Sequence, residues 1–243
     1  MRRIKVYNMI FSNAGMSFHN LRLYYEHVVA LFDQSNKRAS EFRQKMQEEY
    51  ERKGQEYETE IMRNFHKFYD EICPNYFHNS FLITACSLFE QKAKELWDFI
   101  EKEHQVPIEW DDFKDPVPTR FRKLLNFTGV VLKDGPPRIE LPPPDFQPAP
   151  VYPEDRFGAH MTWRTIVFYY RIRNCIVHNN CKIENARGSS TLERFATENN
   201  IKINNKGRLE IQLNEEFNIQ VCLTMKTVFD KLGGAYYNVP LPD

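Results

Sequence analysis

Two arginines, an asparagine and a histidine fall within one eight-residue run, at Arg171, Arg173, Asn174 and His178. Each type has a distinct chemical use. A histidine whose unperturbed pKa is about 6.5 can take and give a proton near neutral pH. An arginine fork meets two oxygens of a phosphate at once. Asn174 precedes His178 by four residues, so on a helix their side chains are neighbours. Together they suit proton transfer beside an anion. Asn179 and Asn180 follow directly, and Lys182 and Arg187 add positive charge a few residues on.

A helix has to hold this cluster, and the spacing predicts one over 160–180. Ile166, Tyr169, Ile172, Ile176 and Val177 supply its buried side at i, i+3, i+4 intervals. Asn179 or Asn180 can take the left-handed geometry that stops a helix. The cluster then lies at a helix C-terminus, where the macrodipole favours positive charge. At about 100° per residue, Arg171 and His178 share a face with Asn174 and Cys175 near them, while Arg173 points away. Three arrangements remain open: the helix unwinds near His178, the Arg173 side chain bends round, or Arg171 shares the role.

The run Arg173-Asn174-Cys175-Ile176-Val177-His178 resembles the R-x4-6-H signature of the HEPN superfamily, small helical domains that include many metal-independent ribonucleases. The resemblance covers this helix and, in architecture only, its partner helices. It implies His178 as the group that moves protons, Arg173 first and Arg171 second as the arginine that stabilises the phosphorane, and Asn174 as an orienting residue. It also implies RNA as substrate, 2′,3′-cyclic phosphate and 5′-hydroxyl products, and no cofactor or metal. Family members often place a polar residue of an earlier helix beside the pair, and Glu90 is the candidate. The site is commonly built at a two-fold interface, so a homodimer is implied, with Arg171, Arg173, Lys182 and Arg187 lining the cleft beside Asn179 and Asn180. A toxin or phage-defence role is implied, with an antitoxin or other regulatory partner. In one toxin branch the motif continues to a tyrosine two residues after the histidine. Here that position is Asn180, so silencing through that tyrosine is not supported.

The composition sets bounds on these expectations. Lysine plus arginine and aspartate plus glutamate number 33 each, so the formal net charge is zero. That argues against coating nucleic acid by bulk charge and leaves any RNA contact to a local patch. Hydrophobic residues make up 42% of 243 residues, enough for a sizeable core. The five cysteines show no CxxC pairing, which suggests free thiols in a reducing setting. No stretch reads as a membrane span, and the basic start Met1-Arg2-Arg3 leads into a poor secretory signal. The expectation is a cytoplasmic protein.

Along the chain, Lys5 to Phe11 reads as a short strand, with a turn at Asn13-Ala14-Gly15. A long charged helix, or a helix pair meeting near Gly54, is expected over 17–73, capped by Ser17 and ended by Pro74. Its charge-rich segment Lys37 to Glu60 reads as a solvated face or a projecting arm. A second core helix is expected over 79–104, with Asn79 as cap and Phe81, Ala85, Leu88, Phe89, Ala93, Leu96, Trp97 and Ile100 on one face. A short amphipathic helix follows, Phe121, Leu124 and Leu125 inward and Arg120, Arg122 and Lys123 outward. Residues 128–158 form a proline-rich crossover. After the motif, Lys182 to Thr197 reads as a mobile loop around Gly188-Ser189-Ser190. Residues 199–243 read as a small β-hairpin plus a closing helix, capped by Asn214 and ended by Gly233-Gly234.

The whole predicts a mainly α protein, one HEPN-like antiparallel helical bundle over 1–243. A metal-independent endoribonuclease is the leading reading. The alternative is a non-catalytic module of the same fold that binds RNA, a nucleotide or a protein. A third reading is a helical scaffold using the arm at Lys37 to Glu60. Cys175, His178 and Cys181 make no standard zinc set at their spacing, and no nucleophile elbow or P-loop is present.

Overall fold

A computed structural model describes residues 2–54, 63, 67, 69, 72–104, 106–127, 163–183, 186, 189–199, 201–204 and 210–236. The proline-rich crossover expected over 128–158 lies outside them, as does Arg187. The chain is mainly α-helical, as its apolar periodicity predicts.

Helix α1 runs unbroken over Arg2–Arg52. The strand expected at Lys5 to Phe11 and the turn at Asn13-Ala14-Gly15 are both helix interior. Ser17 is no N-cap: its hydroxyl donates back to the Asn13 carbonyl at 2.8 Å. Gly15 is there for close packing. A β-carbon on it would stand 2.6 Å from Asp230 Oδ1 on the last helix. Beyond Arg52 the chain turns at Gly54, whose φ of +66° is open to glycine without a steric penalty. The N–H groups of Lys53 and Gly54 close that end on the carbonyls of Glu49, Tyr50 and Glu51.

Helix α2 spans Cys73–His104. Pro74 sits in its first turn, where a missing N–H costs nothing, directly after Ile72, which is itself helical. Asn79 lies inside α2 and caps nothing. Phe81, Ala85, Phe89, Ala93, Leu96, Trp97 and Ile100 are buried as expected, with Leu88 half-buried. Trp110–Asp112 forms a short 3-10 turn, and Trp97 Nε1 donates to the Ile108 carbonyl below it. Helix α3, Val117–Phe127, buries Phe121, Leu124 and Leu125 completely.

Helix α4, Trp163–Asn179, packs on α2 and α3. The segment read as a mobile loop contains helix α5, Ser189–Glu198, which buries Leu192, Phe195 and Ala196 at i, i+3, i+4. Strands β1, Lys202–Asn204, and β2, Glu210–Gln212, pair antiparallel with Ile203 opposite Ile211. Helix α6, Glu215–Tyr236, opens as predicted, the Phe217 N–H donating to Asn214 Oδ1 at 2.8 Å. It does not stop at Gly233-Gly234. A β-carbon on Gly233 would stand 3.0 Å from Phe11 Cβ, so this glycine too permits close approach of α1 and α6.

Helix α1 packs along α6, and α2 packs against both α4 and α6. Phe229 of α6 knits them together. Its ring lies 5.8 Å from that of Phe18, 5.4 Å from Phe89 and 6.3 Å from Phe121. Truncating a buried ring of this kind costs about 3–5 kcal/mol. Tyr169 does the same for α4, edge-on to Phe217 at 5.5 Å and bonded to the Thr224 hydroxyl at 3.1 Å. Buried Ile166, Ile172 and Cys175 complete the inner face of α4, which fixes the opposite face toward solvent.

Candidate functional site

The outward face of α4 carries Arg171, Asn174 and His178, all exposed, with Arg173 half-buried at its edge. The helix stays regular as far as Asn179. It does not unwind at His178, which removes one of the three arrangements left open by the sequence. The stop follows at once. Asn180 and Cys181 both take left-handed backbone, with φ of 49° and 65°. The Cys181 N–H reaches back to the Cys175 carbonyl at 3.2 Å, and Lys182 N–H to Asn179 at 2.9 Å.

The two arginines are used differently. The Arg171 guanidinium lies 5.3 Å from the centre of the Phe168 ring, one turn back toward the N-terminus and away from His178. Arg173 turns the other way: its Nη1 donates to Asn174 Oδ1 at 3.0 Å. The side chain that ideal helical geometry aims away thus bends to the residue lying one turn before His178. No side chain among the described residues hydrogen-bonds the His178 ring.

Glu90 of α2 and Arg173 of α4 both face Tyr170. Burial, first, then the neighbouring Cys86 thiol and after it the charge of Glu90 hold the Tyr170 hydroxyl far above its ordinary range, and Arg173 opposes them. Tyr170 donates to the Cys86 carbonyl at 2.8 Å, inside α2. The same guanidinium acts on the buried Cys86 thiol, which burial pushes well up. The charge of Arg173 therefore reaches these buried groups as well as the exposed motif face, and Glu90 is exposed.

Lys182 is half-buried, and its backbone forms an isolated bridge with Glu210 that ties the end of α4 to β2. Ile211 N–H donates to the Cys181 carbonyl at 3.0 Å in the same junction. Asn79 Nδ2 donates to Cys181 Sγ at 3.4 Å, joining the stop to α2. Sequence reasoning read Asn79 only as a helix cap and gave Tyr170 no separate role. Their partners lie 102 and 84 residues away, and nothing local marks such pairs.

The basic trio of α3 is largely spoken for. Arg120 pairs with Asp111 at 3.4 Å and lies over Trp110, while Lys123 pairs with Asp115 at 2.7 Å. Among the described residues no group of His, Cys, Asp and Glu could hold a metal ion, and no helix is long and apolar enough to cross a membrane. No family model, curated protein or solved structure matches the chain.

Proposed function

We propose that the chain is a metal-independent endoribonuclease of HEPN type, acting in the cytoplasm in a toxin or phage-defence role. One observation carries the reading: Arg173 is bonded to Asn174, one helical turn before an exposed His178. His178 is the proton-transfer group. It takes the proton from a ribose 2′-hydroxyl, or gives one to the departing 5′-oxygen. Arg173 meets the non-bridging phosphate oxygens as the 2′-oxygen attacks, offsetting the charge that builds on the phosphorane. Asn174 holds Arg173 and flanks the imidazole. The products are a 2′,3′-cyclic phosphate and a 5′-hydroxyl. One histidine per chain supplies an acid or a base, and a second chain supplies the other.

A second reading is a non-catalytic module that binds RNA, a nucleotide or a protein on the same face. It draws on the solvent-facing imidazole, which no described side chain orients. The two readings separate in one assay. Wild-type protein should cut RNA in the presence of EDTA. His178→Ala and Arg173→Ala should each lower the rate by about two to four powers of ten, and Arg171→Ala by much less. Folding is checked by circular dichroism. Equal activity of wild type and His178→Ala would leave binding as the surviving reading.

A further inference from the structure

Cys175 and Cys181 lie on either side of the stop that ends α4. A helix continued through 181 would part their Cα atoms by about 9 Å along its axis. The left-handed backbone at Asn180 and Cys181 folds the chain back instead. The Cys181 N–H then meets the Cys175 carbonyl at 3.2 Å. The covalent bonds flanking that hydrogen bond hold the two Cα atoms within about 7 Å. Disulfides span roughly 4.4–6.8 Å between Cα atoms, so the backbone already brings the pair to bonding range.

Both side chains lie toward α2. Cys175 is on the buried inner face of α4, 1% exposed. Cys181 Sγ accepts from Asn79 Nδ2 of α2 at 3.4 Å. The two thiols sense each other: burial first, and then Cys181, hold the Cys175 thiol up to about 11. Both are free thiols in the structure. They differ in access, since Cys181 is half-buried and Cys175 buried. A small oxidant therefore meets Cys181 first, with a second thiol waiting behind it. That is the arrangement of an attacking and a resolving cysteine.

We propose that Cys175 and Cys181 form an internal disulfide on exposure to hydrogen peroxide, Cys181 attacking and Cys175 resolving. The Cys181 thiolate attacks one peroxide oxygen, and the O–O bond breaks. Cys181 becomes a sulfenic acid, and the other oxygen leaves as hydroxide, which takes up the thiol proton to give water. The Cys175 sulfur then displaces the sulfenic hydroxyl, which leaves with the Cys175 proton as a second water. Two thiols lose two electrons, and one peroxide is reduced. The bond closes a ring that contains His178 and pins the helix end that carries it. It rests on the thiols alone and not on RNA cleavage.

Mass spectrometry of the full chain tests it. One tryptic peptide, Asn174–Lys182, carries both cysteines. After hydrogen peroxide in molar excess, this peptide should be lighter by two hydrogens and closed to alkylation until a thiol reductant is added. Burial first, and then Glu210, hold the Cys181 thiol up against the Asn79 hydrogen bond. The rate should therefore rise about tenfold per pH unit between about pH 6.5 and 8.5, as thiolate forms. Cys175→Ala should leave Cys181 as a sulfenic acid that dimedone captures. Cys181→Gly, which suits the left-handed backbone, should leave Cys175 reduced under the same exposure. Circular dichroism checks that both variants fold. A wild-type peptide that stays reduced while Cys73 is oxidised would overturn the proposal. So would Cys181 driven to sulfinic acid with no bond formed, or a bond from either cysteine to a different one. Oxidation of Cys175 in Cys181→Gly at the wild-type rate would overturn the order of attack.

Discussion

Asn218 sets the direction of the hydrogen bond between Tyr25 and His78. Its amide nitrogen donates to Tyr25 Oη at 3.2 Å and to the His78 carbonyl at 3.1 Å. The tyrosine proton is then left for His78 Nδ1, 2.6 Å away, which must accept it. The geometry thus assigns a neutral His78 protonated on Nε2. Burial holds this ring below the ordinary histidine value and holds the Tyr25 hydroxyl above its own, with Glu215 adding to the latter. In the unfolded chain His78 binds a proton below about pH 6.5, while in the folded chain it resists until lower pH. The unfolded state therefore takes up more protons in that window. Stability is full above the unfolded value and is lost as pH falls toward the folded one. Denaturant midpoints measured from about pH 7.5 to about 5 should drop for wild type and change less for His78→Gln. The variant should itself cost roughly 1–3 kcal/mol at neutral pH. Matching slopes would sink the neutral assignment. None of this was legible in the sequence, because Tyr25 stands 53 residues from His78 and 193 from Asn218. Arg173, Asn174 and His178 were legible because one helix carries all three.

Gly15 and Gly233 show where local signals mislead at the level of whole elements. Each reads as a break in the sequence, and each lies inside a helix where α1 and α6 approach closely. A packing glycine and a turn glycine look the same in one sequence, and only the opposing helix tells them apart. The long apolar faces of α2, α3 and α6 were readable because burial imposes their period directly. The two glycines should also respond differently to alanine. Alanine favours a helix interior by about 1 kcal/mol over glycine. At Gly15 the new methyl meets the end of the flexible Asp230 carboxylate, so Gly15→Ala should be near neutral. At Gly233 it meets Phe11 Cβ and Cγ at 3.0 and 3.1 Å, part of a buried ring with nowhere to go. Overpacking of this sort costs about 1–3 kcal/mol, so Gly233→Ala should be the less stable of the two. Thermal melts of both variants check the order, and the reverse order would refute the packing argument.

Across the molecule, three buried thiols sample three different helices: Cys86 on α2, Cys175 on α4 and Cys222 on α6. Burial is the first cause holding each thiol up, to about 11 for Cys175 and about 12 for Cys222, with Cys86 higher still. Reactive thiolate is therefore scarce at neutral pH. Under native conditions iodoacetamide should modify the half-buried Cys73 and Cys181 first. The buried three should react together, at a rate set by opening of the whole core. Mass spectrometry of the labelled peptides resolves the order. Early labelling of Cys175 alone would mean that α4 leaves the core by itself. The mainly α character followed from periodicity along the chain. The joining of α4 to β2 and α2 did not, since it rests on contacts between distant segments.

That junction turns on two successive left-handed residues. Among the described residues, Asn180 and Cys181 are where the chirality of the chain works against its own path. Asparagine tolerates the position, but cysteine has no such excuse beyond its contact with Asn79. A mirror-image residue would sit more comfortably at 181 than the natural one, and natural variation there should drift toward glycine.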